Sequence, residues 1–269
     1  MLLNDFFVRL QNLRRSQNTI ESYRNSLNQW LPNGDIVLTP EHIDKRMAEL
    51  KHLSANSLKV RLVHLGKFLE FVHKKEPVEH YEELMDICRS TKVQQKVPEI
   101  ITKDQLQVLM EAIDNLRDKA MVKTLATTGL RVSELTNLRM ADLKSDHVIV
   151  REPKNNKERL VYLPKCTLEL LQQYIQVYKP KDYLFVALKG TKPISRNTVE
   201  QMLNRLGTKV GLKVHPHMLR RYYATAQAKH GVPVGVLQKN MGHSSPSMSI
   251  YYTNIVMEDQ KESAEVFEE

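Results

Sequence analysis

The strongest constraint on how this chain folds is an interruption. Residues 89–98 (Arg-Ser-Thr-Lys-Val-Gln-Gln-Lys-Val-Pro) are polar, lack periodicity and end in proline, a composition that connects folded units rather than packing within one. Before it, apolar residues recur at helical spacing; after it, the pattern is mixed. The 269 residues are therefore expected to divide into a helical domain at 1–90, a linker at 91–98 and a second domain at 99–269, with the junction near residue 95. Two units suit a length at which single domains commonly hold about 100–200 residues.

The first block is all helical in pattern. Leu3, Phe6, Phe7, Leu10 and Leu13 share one helix face, as do Ile20, Tyr23, Leu27 and Trp30. Thr39-Pro40 supplies an N-cap followed by proline at the first helical position. Leu58, Leu62, Leu65, Leu69 and Val72 mark a fourth helix, whose opposite face carries Lys59, Arg61 and Lys67. A small helical bundle follows from this pattern.

The second block opens with Thr102-Lys103-Asp104-Gln105, a capping box. Helices are expected at 118–128 and 131–139, interrupted by Thr127-Thr128-Gly129. Two short extended runs, 147–150 and 159–163, flank the turn-forming Pro153-Lys154-Asn155-Asn156-Lys157, which predicts a β-hairpin. Helical patterns resume at 166–178, 196–206 and 217–230. The expected class is mainly α with a small β-sheet (α+β).

Composition narrows the function classes. Hydrophobic residues make up 41% of the chain, enough for buried cores and against general disorder. No apolar run approaches the roughly 18 residues of a membrane helix, the start lacks a signal-peptide pattern, and the two cysteines, Cys88 and Cys166, argue against a disulfide framework. A cytoplasmic location is expected, with no membrane partner. The net charge of +9 is unevenly spread. Residues 1–90 carry 13 Lys and Arg against 12 Asp and Glu, residues 91–257 carry 26 against 13, and residues 258–269 carry one against six. A basic central block points to a polyanion, with nucleic acid first.

Four segments place reactive side chains at element edges. Arg131 follows Gly129 at a helix start, with Glu134 one turn on. Lys154 sits in the hairpin turn, with Lys157 three residues away. His217-Met218-Leu219-Arg220 begins a helix after Pro216, and Met241-Gly242-His243 is followed nine residues later by Tyr252. Arginine suits a site that must neutralise phosphate oxygens, because its planar fork is always charged and bonds bidentately. Arg220 also lies near a helix N-terminus, where free N–H groups favour phosphate.

This ordered set resembles the tyrosine recombinases, the family of phage integrases and Xer-type site-specific recombinases, over nearly the whole chain. The resemblance implies a helical core-binding domain and a catalytic domain forming a C-shaped clamp on duplex DNA. Arg131 and Arg220 would stabilise the transition state, and Tyr252 would be the nucleophile that forms a covalent 3′-phosphotyrosyl link, later resealed without ATP. Tyr251 is an adjacent competitor; the interval after His243 and the following Thr253 match the family at Tyr252. Lys154 would protonate the leaving 5′-oxygen, with Lys157 as the alternative. His217 would accept the tyrosine proton or hold a phosphate oxygen, His243 would donate to the phosphate, and Glu134 would orient Arg131 or His217. Where the family often has a second histidine after His-x-x-Arg, this chain has Arg221, which could add a phosphate contact.

DNA-binding positions expected on this reading are Lys59, Arg61, Lys67, Lys157 and Arg221. No cofactor is expected, and no metal, since His215, His217, His243 and Cys166 follow no recognised ligand spacing. The implied function is site-specific DNA recombination by a tetramer through a Holliday junction. The alternatives are relaxation of type IB topoisomerase kind and a catalytically silent DNA-binding protein. The segment 257–269 is expected to be either an acidic tail or a helix docking on a neighbouring protomer through Val256, Val266 and Phe267.

Overall fold

The computed structural model describes residues 2–32, 37–90, 99–152, 157–187, 192–243 and 245–254, excluding the side chains of Glu152 and Lys157. The chain divides into two compact units, 1–97 and 98–269.

The first unit is helical: α1 (Leu2–Asn12), α2 (Gln17–Trp30), α3 (Pro40–Glu49), α4 (Ala55–His73) and α5 (Tyr81–Ser90). Three starts are set by hydroxyl caps. Ser16, Thr39 and Ser54 accept from the backbone N–H of Thr19, His42 and Ser57, at 3.3, 3.3 and 3.2 Å, each satisfying a donor that the first helical turn leaves orphaned. The 19-residue α4 is the central element. Its Leu62, Leu65, Phe68 and Leu69 are fully buried against Leu27 and Trp30 of α2 and Leu84 of α5, each contributing roughly 1.5–3 kcal/mol of transfer free energy. Trp30 is held in register by its indole N–H, which donates to the Arg61 carbonyl at 3.2 Å. Residues 81–90, a helix the apolar spacing does not single out, bury Leu84, Met85 and Cys88; a Cβ at Gly66 of α4 would meet Cys88 Cβ at 3.4 Å, so the two helices approach closely there.

The second unit begins with α6 (Lys103–Glu111), whose start is the expected capping box: Thr102 Oγ1 accepts from Gln105 N, and Gln105 Oε1 accepts from Thr102 N. Helix α7 (Leu116–Thr128) is capped by Asn115 and is buried on most sides, through Ala120, Met121, Val122, Leu125 and Ala126. Burial all round marks it as the axis of the core. It ends at Gly129 in the left-handed conformation, φ +64°. The next helix, α8 (Val132–Asn137), is shorter than the sequence pattern suggests: Arg131 is its N-cap and the backbone turns extended at Leu138.

Strands β1 (His147–Glu152) and β2 (Lys157–Tyr162) form an antiparallel hairpin in the register His147↔Tyr162 through Glu152↔Lys157. Their buried face carries Val148, Val150 and Val161, joined by Arg159. Then come α9 (Lys165–Tyr178), α10 (Arg196–Lys209), α11 (Pro216–Lys229) and α12 (Val234–Met241), and a helical stretch at residues 247–254. Helices α9 and α11 pack on α7, and α12 packs on α11 and β2. The observed class is mainly α with a two-stranded antiparallel sheet.

Neither α12 nor residues 247–254 is apparent from periodicity. Helix α12 starts Val234-Gly235-Val236, residues of low helix propensity; it is stabilised by burial of Leu237 and Met241 in a cluster with Tyr223, Ala224 and Tyr252.

Candidate active site

The turn that ends α7 organises the site. A Cβ at Gly129 would overlap the ring of Tyr223 and stand 2.8 Å from Met241 Sδ, so glycine is required both for the left-handed turn and for the close approach of α11 and α12. That approach lets Arg220, on α11 and only 6% exposed, reach two carbonyls at once: Nη1 donates to Gly129 O at 2.5 Å and Nη2 to Met241 O at 2.6 Å. The planar fork is thereby fixed by the ends of two helices. Burial, then the neighbouring Arg131 and, after the opposing Glu134, Arg159 lower the Arg220 pKa to about 10; it remains a cation at neutral pH.

Arg131 is the other guanidinium of the pair. Its backbone N–H donates to Glu134 Oε2 at 2.8 Å, its Nη1 to Glu134 Oε1 at 2.8 Å, and its Nη2 to the Gly242 carbonyl at 2.7 Å. Glu134 thus closes a one-turn loop with Arg131 and also takes Arg159 from β2. Arg159 Nη1 and Nη2 donate to Oε1 and Oε2 at 3.0 and 2.7 Å, and its Nε donates to Asn240 O at 3.0 Å. Burial alone would raise the Glu134 pKa; the hydrogen bonds and charge of Arg159, followed by those of Arg131, hold it below its ordinary value.

His243, 7% exposed, shares a 2.8 Å hydrogen bond between Nδ1 and the Oγ of the fully buried Ser249. Burial, then the charges of Arg220, Arg131 and Arg159, lowers its pKa to about 4, so it is neutral at pH 7. Its ring lies nearly parallel to that of Tyr252, with centroids 6.4 Å apart. Tyr252 is 9% exposed and packs with Tyr223, Leu237 and Met241, whereas Tyr251 is 37% exposed and turns an edge toward it. Burial raises the Tyr252 pKa against the opposing charges of Arg221 and Arg220; the phenol is protonated at neutral pH. Arg131, Arg220, His243 and Tyr252 therefore meet around the ends of α7 and α12.

His217 is exposed near the start of α11. Partial burial and the charges of Arg220, His215, Arg221 and Arg196 lower its pKa, leaving a neutral imidazole able to take a proton. Lys154 lies outside the described residues, as does the side chain of Lys157, and so do Val256, Val266, Phe267 and the whole segment 257–269. In the first unit Lys59 is exposed on α4. Lys67 pairs with Glu70 at 3.0 Å, and Arg61 is tied to Gln29 Oε1 and, at 2.9 Å, to Ser57 O. Arg61 and Lys67 thus have partners within their own unit, and Lys67 stays exposed beside its partner.

Arg159 is the site residue that the motif reading passes over. Its signal is the strand's period of two: if Val161 faces the core, Arg159 does as well, and an inward arginine needs an anionic partner. Among the described residues no three His, Cys, Asp or Glu side chains gather as metal ligands, and no helix is long and apolar enough to cross a membrane.

Comparison with known proteins finds a matching family and several relatives. Residues 99–259 match the phage integrase family. The chain is 30% identical over 273 residues to "Tyrosine recombinase XerA" of Pyrococcus furiosus, covering 98% of this chain and 93% of the relative. It is also 30% identical over 269 residues to "Tyrosine recombinase XerD" of Staphylococcus aureus, covering 89% of this chain and 88% of that one. Among solved structures, a XerA recombinase aligns with a TM-score of 0.58 at 26% identity over 98% of this chain and 97% of that one. Lambda integrase bound to DNA aligns with a TM-score of 0.78 at 16% identity, over 94% of each chain, a likeness of fold.

Proposed function

The chain belongs to the phage integrase family, and from that premise we propose that it is a tyrosine-type site-specific DNA recombinase. The observation that carries the reading is the convergence of Arg131, Arg220, His243 and Tyr252 on the carbonyl-lined junction of Gly129, Met241 and Gly242. Two guanidiniums fixed by backbone oxygens, a neutral histidine and a tyrosine within their field form a site for phosphoryl transfer.

In the proposed reaction the Tyr252 hydroxyl oxygen attacks the scissile phosphorus and the bond to the 5′-oxygen breaks, leaving the 3′-phosphate on tyrosine. His217 takes the phenolic proton. Lys154, in the hairpin turn, gives a proton to the leaving 5′-oxygen, with Lys157 as its alternative. Arg131 and Arg220 neutralise the charge that grows on the nonbridging oxygens, and His243 donates a hydrogen bond to one of them. A 5′-hydroxyl from a second strand reverses the step, so the bond energy is conserved and no ATP or cofactor is required. Exchange between two duplexes needs four such centres, which is the basis for proposing a tetramer working through a Holliday junction. Lys59, Arg61, Lys67 and Arg221 are the proposed backbone contacts, Arg221 being the best supported because its charge already acts on Tyr252.

The test is a nicked suicide duplex carrying candidate sites from the source genome, incubated in EDTA with wild type, Tyr252→Phe and Tyr251→Phe. An adduct that survives denaturing electrophoresis and is lost only with Tyr252→Phe supports the reading. Loss with Tyr251→Phe alone moves the nucleophile by one residue. Salt-sensitive binding to every site without an adduct would favour a silent DNA-binding protein.

A further inference from the structure

We infer that Arg159 is a positioning residue for strand cleavage: it holds Glu134 so that Arg131 presents its guanidinium to the scissile phosphate instead of closing fully on the carboxylate. The inference rests on the proposed recombinase reading and deepens it.

The argument begins with how Glu134 is shared. Each carboxylate oxygen serves both arginines: Oε1 accepts from Nη1 of Arg131 and Nη1 of Arg159, and Oε2 accepts from the Arg131 backbone N–H and from Nη2 of Arg159. The ion pair is buried on the Arg159 side, where the two side chains are 8% and 7% exposed, and open on the Arg131 side, at 37%. In a poorly screened site a carboxylate divides its attraction between the cations it faces. Arg159 takes the geometry a guanidinium prefers, two parallel N–H bonds to two oxygens. Arg131 therefore places one side-chain N–H on Glu134 and another on Gly242 O, and its side chain is 37% exposed.

Arg159 also ties three parts of the site together. It stands on β2, two residues beyond the start of the strand that follows the hairpin turn, and its Nε fixes the Asn240 carbonyl at the end of α12, three residues before His243. Its charge reaches Arg220 and His243. Among the described residues, Arg131 and Arg159 on Glu134, with Arg220 in the field of that carboxylate, make three guanidiniums to one carboxylate, a net of two positive charges. That matches the charge of a phosphodiester monoanion attacked by an oxyanion, and without Arg159 half of the excess is lost.

The test measures single-turnover cleavage of the suicide duplex at saturating protein, with duplex affinity and melting temperature measured in parallel. Arg159→Met is expected to slow cleavage about 100-fold, the scale of a misplaced catalytic group, while affinity stays within about threefold, since Arg159 is buried. Because this variant leaves a buried carboxylate short of a partner and could lose stability, Arg159→Met with Glu134→Gln is the second variant. It is expected to recover melting temperature while cleavage stays slow. A methylphosphonate at the scissile position removes one oxyanion, so the gap between wild type and Arg159→Met should shrink to within about tenfold there. Cleavage restored in the double variant, or a gap unchanged on the methylphosphonate, would show that Arg159 only neutralises Glu134 and overturns the inference. Wild type that forms no adduct on any duplex would instead overturn the recombinase reading, and the inference with it.

Discussion

Gly129 offers the sharpest test of how the site is built, because backbone strain and packing can be separated there. Its φ is +64°, and a Cβ would overlap Tyr223 Cδ1, stand 2.8 Å from Met241 Sδ and 3.0 Å from Tyr223 Cγ. A non-glycine residue in the left-handed region costs roughly 1–2 kcal/mol, and forcing a methyl group into a packed ring and thioether adds about 1–3 kcal/mol. Gly129→Ala is therefore expected to destabilise the second unit by about 2–5 kcal/mol. Gly211 is the control: its φ is +69°, and nothing lies within 4 Å of its Cβ position, so Gly211→Ala carries only the backbone cost. Urea unfolding at pH 7 measures both. Circular dichroism is the better signal, because the single tryptophan, Trp30, lies in the first unit. For a unit of this size each kcal/mol moves the melting temperature by about 2–4 °C. Gly129 O also anchors Arg220, and Tyr223 and Met241 pack on Tyr252, so cleavage should fall with Gly129→Ala and not with Gly211→Ala. If the two variants unfold together, the close approach at Gly129 has no energetic weight and this account of the site's assembly is refuted.

Two further outcomes follow from the buried charges. The His243 pKa is lowered from 6.5 to about 4, first by burial and then by the charges of Arg220, Arg131 and Arg159. The unfolded chain therefore binds that proton first, and the contribution, about 3 kcal/mol, is present above pH 6.5 and lost as pH falls toward 4. His243→Gln should flatten the stability curve between pH 4 and 6.5, and a slope parallel to wild type in urea titrations would count against the buried, neutral imidazole. Arg220→Lys removes the fork that spans Gly129 O and Met241 O; adduct formation should drop about 100- to 1000-fold, with duplex binding nearly unchanged by gel shift.

Much of the architecture was legible from local pattern. The helical block, the capping box at Thr102, the hairpin and the helix after Pro216 all rest on signals within a few residues, namely apolar spacing, a hydroxyl followed by glutamine, and a turn between two extended runs. Helix α12 was not legible in this way: Val234-Gly235-Val236 has poor intrinsic preference, and only the burial of Leu237 and Met241 makes it a helix. The motif order pointed to Arg131, Lys154, His217, Arg220, His243 and Tyr252 as a set. It said nothing of the carbonyls that aim the two arginines.

The sequence by itself determined which residues are the candidates for the proposed chemistry, because residue type and order along the chain carry that information. Tertiary structure decided how they are held. Gly129 and Met241 are far apart in sequence yet fix one guanidinium, and Arg159, an unremarked strand residue, shares Glu134 with Arg131. It also decided that Tyr252 packs within the arginines' field while its neighbour Tyr251 faces outward. The physical reason is range. Periodicity and capping act over one or two turns, whereas the partners of a buried charge come from whichever segments the core brings together.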